Sequence, residues 1–206
     1  MVLKTFRSLI AINLILILVA ALLPVDQVHA LSTYEKPGSL PLLNEFISQM
    51  KNGQAGELRG IYIPEILAAP VVQQPAANNA FVSPIQNIVT QFSLAAQYSS
   101  TGLLAHNYLA GEKFLQLKED QKFYLIYGDG QVFTFVITEI LRYQALEPSS
   151  TSSNFVSLEN DELLSASDLF YKVYQRSGDV ILQTCISKDD NLSWGRLFVI
   201  AEPVDS

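Results

Sequence analysis

From residue 58 onward, short apolar-rich runs alternate with clusters of turn-forming residues, a pattern that predicts a mainly β protein. Before that point, Leu42, Leu43, Phe46, Ile47 and Met50 recur at helical spacing. A short helix is expected there, with Ser39 as its cap, Pro41 in its first turn and Asn52-Gly53 at its end. Residues 58–63, closed by Pro64, and Pro70-Val71-Val72 read as strands, followed by a loop over 73–79. Ser83-Pro84 resembles a helix start with Ile85, Ile88, Val89 and Phe92 on one face, yet 88–92 reads equally as a strand, and the pattern leaves both open. Residues 122–127 and 131–137 are β-rich and meet at Gly128-Asp129-Gly130, a strong hairpin signal. Residues 140–145 extend the second of these strands or follow a bend, and 147–153 is a low-complexity surface loop. Ser167 is expected to cap a helix over 168–174 that stops at Ser177-Gly178. Residues 180–186 form a strand, 188–193 a polar turn, and 196–201 the last strand, closed by Pro203. No internal repeat is present, and the sum is a β-barrel, closed or nearly so, with a few short helices.

Composition narrows this picture. The 206 residues are 49% hydrophobic and 16% charged, enough to build one core and too apolar for wholesale disorder. The net charge of −7 and the lack of a Lys/Arg cluster argue against a nucleic-acid partner. Residues 1–30 read as an export segment: Lys4 and Arg7 precede the apolar run 9–23, and Val28-His29-Ala30 is a small-x-Ala cleavage site. The run is short for a membrane span, which favours a cleaved signal peptide over a signal anchor; either way the domain works outside the cytoplasm. The expected organisation is 1–30 signal peptide or anchor, 31–57 linker and short helix, and 58–206 the β domain.

An exported chain usually carries cysteines in pairs, and this one carries Cys185 alone. A lone cysteine is either a small buried hydrophobe or a reactive thiol. The chain past residue 30 also holds one histidine, His106, at an apolar strand end running into a polar turn. Arg196 opens the last strand. Thiol chemistry has a use for all three. A thiol of ordinary pKa is only a few per cent thiolate at neutral pH. A histidine can take its proton and later protonate a leaving amine. An arginine stays cationic and can hydrogen-bond a developing oxyanion. Each also has a bland reading, as a satisfied strand-end histidine or a solvated strand-opening charge, and the spacing alone does not decide between them. No ligand cluster for a metal is present, and no cofactor is expected.

The local sequences carry more. Ile181-Leu182-Gln183-Thr184-Cys185, followed by Arg196-Leu197-Phe198-Val199-Ile200-Ala201, resembles the end of sortase domains, whose signature is Thr-Leu-x-Thr-Cys and then an Arg opening the next apolar strand. Ala105-His106-Asn107 is similar to the family's Gly-His-x segment, and Ile61-Tyr62-Ile63-Pro64 to its opening Ile-Pro strand. The likeness runs from about 58 to 201. Ile181 stands in place of the family's first Thr, Ala105 in place of its Gly, and Glu119-Asp120 in place of a common Gly-Asp, so the subclass is open. The resemblance implies an eight-stranded sortase-type barrel. It also implies a cysteine transpeptidase that cleaves a sorting-signal peptide through a thioacyl-enzyme and passes it to an amine acceptor on a cell wall or pilin. In that reading Cys185 is the nucleophile, His106 the acid/base and Arg196 the oxyanion partner, with Thr184 and Trp194 near the substrate. The enzyme would work at the cell surface, secreted or held to the membrane only by its N-terminal segment.

Two other cysteine enzyme classes fit poorly. L,D-transpeptidases place Gly directly before the cysteine, where Thr184 stands here, and papain-like proteases place the cysteine before the histidine. The main alternative is a non-catalytic extracellular β-barrel that binds peptide or glycan.

Overall fold

Two carbonyl-directed amides end the first helix: Asn52 and Gly53 both donate to the Gly128 carbonyl, Gly53 in the left-handed region at φ 83°. The helix, α1 (Leu43–Met50), thus stops where the sequence predicts. Its start differs. Leu42 is the cap residue, and the Glu45 carboxylate accepts from the Leu42 amide, so Ser39 is not needed. These elements belong to a computed structural model that describes residues 39–204. The expected export segment, with His29, and the first part of the linker lie outside the described residues. Among the described residues no helix is long and apolar enough to cross a membrane.

Eight strands form a ring. In spatial order they are β10 (Asn191–Pro203), β9 (Val180–Lys188), β4 (Thr101–Leu104), β3 (Val89–Phe92), β2 (Leu67–Gln73), β1 (Leu58–Ile63), β5 (Lys122–Tyr127) and β6 (Val132–Ala145). β6 then pairs back onto β10 from Phe135↔Pro203 to Gln144↔Gly195, which closes the barrel and removes its edges. The short strands β7 (Phe155–Ser157) and β8 (Leu163–Leu164) continue outward from β6. The fold is therefore the mainly β closed barrel with a few short helices that the pattern anticipates, with the eight strands that the resemblance implies. The helices are α1, α2 (Gly111–Phe114) and α3 (Ala166–Tyr174), with a 3-10 turn at Ala95–Tyr98.

Alternation decides which side chains fill the barrel. Val180 and Leu182 of β9, Leu103 of β4, and Leu197, Val199 and Ala201 of β10 point inward to one core. Their neighbours Ile181, Phe198 and Ile200 point outward and pack under α3, with Leu169, Val173 and Tyr174, as a second core. A third, smaller core seats Phe46 and Met50 of α1 on Ala68 and Ile126. Gly60 is needed there, since a Cβ would lie 2.8 Å from Met50 Cγ.

Two local expectations change and one open reading is settled. The settled one is 83–92, where the strand alternative forms: β3 pairs in parallel with β2, and Thr90 Oγ1 accepts from the Ser83 amide. The cap of α3 is Ser165 rather than Ser167: its hydroxyl accepts from the Asp168 amide and donates to the Asp168 carboxylate. The turn between the last strands is tighter than 188–193, because β9 runs to Lys188 and β10 starts at Asn191, leaving Asp189-Asp190 at the tip. The segment 140–145 does extend β6, across a register shift opposite Ile200 and Ala201.

Candidate active site

β9 sits between two partners of opposite sense. β10 runs antiparallel to it, and Arg196 is directly paired with Cys185. Residues directly opposite on neighbouring strands point to the same face. β4 runs parallel on the other side, from Thr101↔Val180 to Leu104↔Gln183. Continued by two residues, that register brings His106 level with Cys185. Two bonds to Ala105 hold the continuation: its amide donates to the Gln183 carbonyl at 3.2 Å, and its carbonyl accepts from Thr184 Oγ1 at 2.8 Å. His106, Cys185 and Arg196 thus stand in one row across three adjacent segments. All three are partly exposed.

Parity places the row on the outer face. Leu182 is in the barrel core and Thr184 is buried, so Gln183 and Cys185 look outward, as Phe198 and Arg196 do on β10. Beside the row lies a cleft of about 430 Å³. Leu104, Gln183, Phe198 and Arg196 form its floor, α3 and Phe155 one wall, and Ser150 and Thr151 of the 147–153 loop its rim. Asn79 and Ala80 also line it; their loop is tied down by Gln74, whose amide donates to the Asn79 and Phe81 carbonyls and accepts from Ser93.

The individual side chains are held differently. The His106 ring stacks on Tyr108, with centroids 5.2 Å apart. Its neighbour Asn107 is buried and donates to Ser187 Oγ at 2.6 Å and to the Leu192 carbonyl at 2.9 Å. The histidine is therefore bracketed, since Ala105 and Asn107 both bind the cysteine strand or its hairpin. Arg196 donates from one terminal nitrogen to the Ser193 and Gly195 carbonyls, both at 2.9 Å, and its guanidinium lies 6.0 Å from the Phe155 ring centroid. Among the described residues it has no carboxylate partner, so its remaining N–H groups are free to meet a ligand oxygen. Cys185 is a free thiol.

The remaining two candidates lie apart from the row. Thr184 is buried, and its hydroxyl is committed to Ala105. Trp194 lies on the hairpin, with Lys188 Nζ 4.8 Å from its ring centroid, and lines an open depression with Asp189 and Asp190. Among the described residues no group of three or more His, Cys, Asp or Glu side chains gathers as a metal cluster. The motifs alone do not single out Asn107 or Gln183, although the period-two alternation of β9 places Gln183 on the Cys185 face.

The fold and the row together define an eight-stranded barrel with a free thiol, an imidazole and a guanidinium on one outer face. The solved structures to which this chain is similar include sortases. Sortase C-1 from Actinomyces oris is 17% identical, with a TM-score of 0.46 over 81% of this chain and 83% of that one. Sortase C from Clostridium perfringens SM101 is 17% identical, with a TM-score of 0.44 over 79% and 83%. Sortase A from Corynebacterium diphtheriae is 15% identical, with a TM-score of 0.47 over 74% and 63%. No protein family matches the chain, and no curated protein does.

Proposed function

We propose that this protein is a sortase-like cysteine transpeptidase that cleaves a sorting-signal peptide and transfers its acyl part to an amine. The observation that carries the reading is the single row of His106, Cys185 and Arg196 on one face, with Arg196 also lining the cleft. The motif resemblance around Val180 to Ala201 supports it independently.

In this reading the Cys185 thiol passes its proton to His106 as its sulfur attacks the scissile carbonyl. The carbon–nitrogen bond breaks as His106 gives a proton to the departing amine, leaving a thioester on Cys185. An incoming amine then loses its proton to His106 and attacks the thioester; the carbon–sulfur bond breaks, and His106 passes that proton to the departing sulfur, which restores the free thiol. Arg196 directs its unbonded N–H groups at the oxygen that becomes negative in both steps. Thr184 keeps Ala105, and through it His106, at the height of Cys185. Substrate and acceptor are a signal-bearing protein and a surface amine, so the enzyme acts outside the cytoplasm.

The test is a mass measurement of a peptide adduct on Cys185 after incubation with a library of extended peptides. Wild type is expected to gain the acyl mass, and Cys185→Ala is expected to gain nothing while keeping its fold. Arg196→Ala is expected to slow adduct formation on the order of 10²–10³-fold, the usual effect of removing one oxyanion donor, and His106→Ala roughly 10²–10⁴-fold, the usual contribution of a positioned acid/base. Peptide cleavage at the wild-type rate by Cys185→Ala would end the reading.

A further inference from the structure

The cleft beside Cys185 is walled by aromatic and aliphatic side chains, among them Phe92, Leu104, Leu169 and Phe198. Its polar lining is Asn79, Ser150, Thr151, Arg196 and one hydrogen-bonded pair, in which Tyr174 Oη donates to Gln183 Oε1. Tyr174 is the last residue of α3 and is 2% exposed. Burial pushes its phenol far above the ordinary range, so it is always protonated and always has a hydrogen to donate. The Gln183 oxygen is the acceptor it has among the described residues. Turned over, the amide would donate to the phenol oxygen and strand the buried hydroxyl hydrogen, which has no other acceptor among the described residues, so the pairing sets Oε1 toward Tyr174. Its Nε2 is left with two hydrogens and, among the described residues, no partner.

We infer that Gln183 is a specificity-determining residue, whose fixed amide N–H selects a substrate side chain carrying an oxygen acceptor about two residues from the scissile carbonyl. The inference rests on the reading of this cleft as a peptide groove. The spacing follows from β9 itself: Gln183 and Cys185 are on one face, and alternate residues of a strand lie roughly 6.6 Å apart. An extended peptide repeats at the same interval, and every second side chain faces the wall. A substrate seated with one residue at Cys185 therefore presents the side chain two positions away to Gln183. An apolar side chain there would leave the amide desolvated and unpaired, which is how a polar pocket rejects a ligand lacking its partner. Asn, Gln, Ser, Thr, Asp and Glu side chains satisfy it; Leu and Val do not.

Retention of a randomised peptide library on immobilised Cys185→Ala protein, where no bond can be broken, tests the assignment. One position is expected to favour oxygen-bearing side chains by roughly three- to tenfold, the value of one added hydrogen bond. Adding Gln183→Leu is expected to erase that preference at that position alone. Because Gln183→Leu strands a buried phenol, the pair Gln183→Leu with Tyr174→Phe removes both partners and protects the fold; it is expected to give the same altered profile. An unchanged profile in the folded double variant overturns the inference, and so does failure of the library to be retained at all. A profile that shifts as expected, with wild type forming no thioacyl adduct, sustains the inference for a binding groove and removes the transpeptidase reading alone.

Discussion

Thr184 and Gly111 hold the residue-scale geometry of the site. The Thr184 hydroxyl binds the carbonyl just before His106, and Gly111 lies so close that a Cβ there would overlap Thr184 Oγ1 and the carbonyls of Ala105 and His106. Thr184→Val keeps the shape but leaves a buried carbonyl unpaired, at a cost of about 1–3 kcal/mol. Chemical denaturation is expected to show this loss, with Cys185 alkylation slowing as His106 drifts. Gly111→Ala is expected to be worse for adduct formation, since backbone carbonyls rather than a flexible chain end block the new methyl group. Cys185 and His106 were legible as candidates because the chain past residue 30 has one thiol and one imidazole, whereas Arg196, one of several arginines, was picked out by the motif resemblance. The direction of Thr184 was harder to see: next to an outward cysteine on an alternating strand, it must face inward, away from any substrate.

Between elements, the clasp made by Asn107 joins the turn after β4 to the β9–β10 hairpin. Asn107→Ala removes both bonds while leaving the three residues of the row in place. Its expected signature is a pH profile of Cys185 alkylation that moves toward that of His106→Ala, with peptide affinity preserved; a merely structural role would lower the melting temperature and leave the profile unmoved. The β5–β6 hairpin was legible from Asp129-Gly130, because Gly130 takes φ 90° and the Asp129 carboxylate accepts from the Gln131 amide. The pairing of β9 with β10 was legible too, from the short polar turn between them. The 83–92 segment was not. β3 is a four-residue strand, too short for its periodicity to exclude a helix, and its parallel pairing with β2 is invisible to local pattern. The parallel pairing of β4 with β9 is equally hidden, and it is what brings His106 level with Cys185.

At the scale of the whole molecule, charge and closure set the remaining expectations. The Asp179 carboxyl, just before β9, is held above the ordinary carboxylate range by burial and by Glu202, against the opposing pull of Arg176. Its proton is bound more tightly in the folded state than in the unfolded one. The stability it contributes is therefore complete at low pH and lost as pH rises through its raised range. Asp179→Asn cannot titrate, so its stability relative to wild type is expected to improve from low to neutral pH in parallel denaturation curves. Closure has a consequence for biosynthesis. β10, the last described strand to leave the ribosome, pairs on one side with β9 and on the other with β6, so until residue 203 has emerged both neighbours present open edges. The thiol strand is complete before its arginine partner exists, and a nascent chain stalled between the two is a bare sheet that invites pairing with other chains. The hazard of making this protein is thus concentrated in the synthesis of β10, and slowing synthesis there would lengthen the exposure.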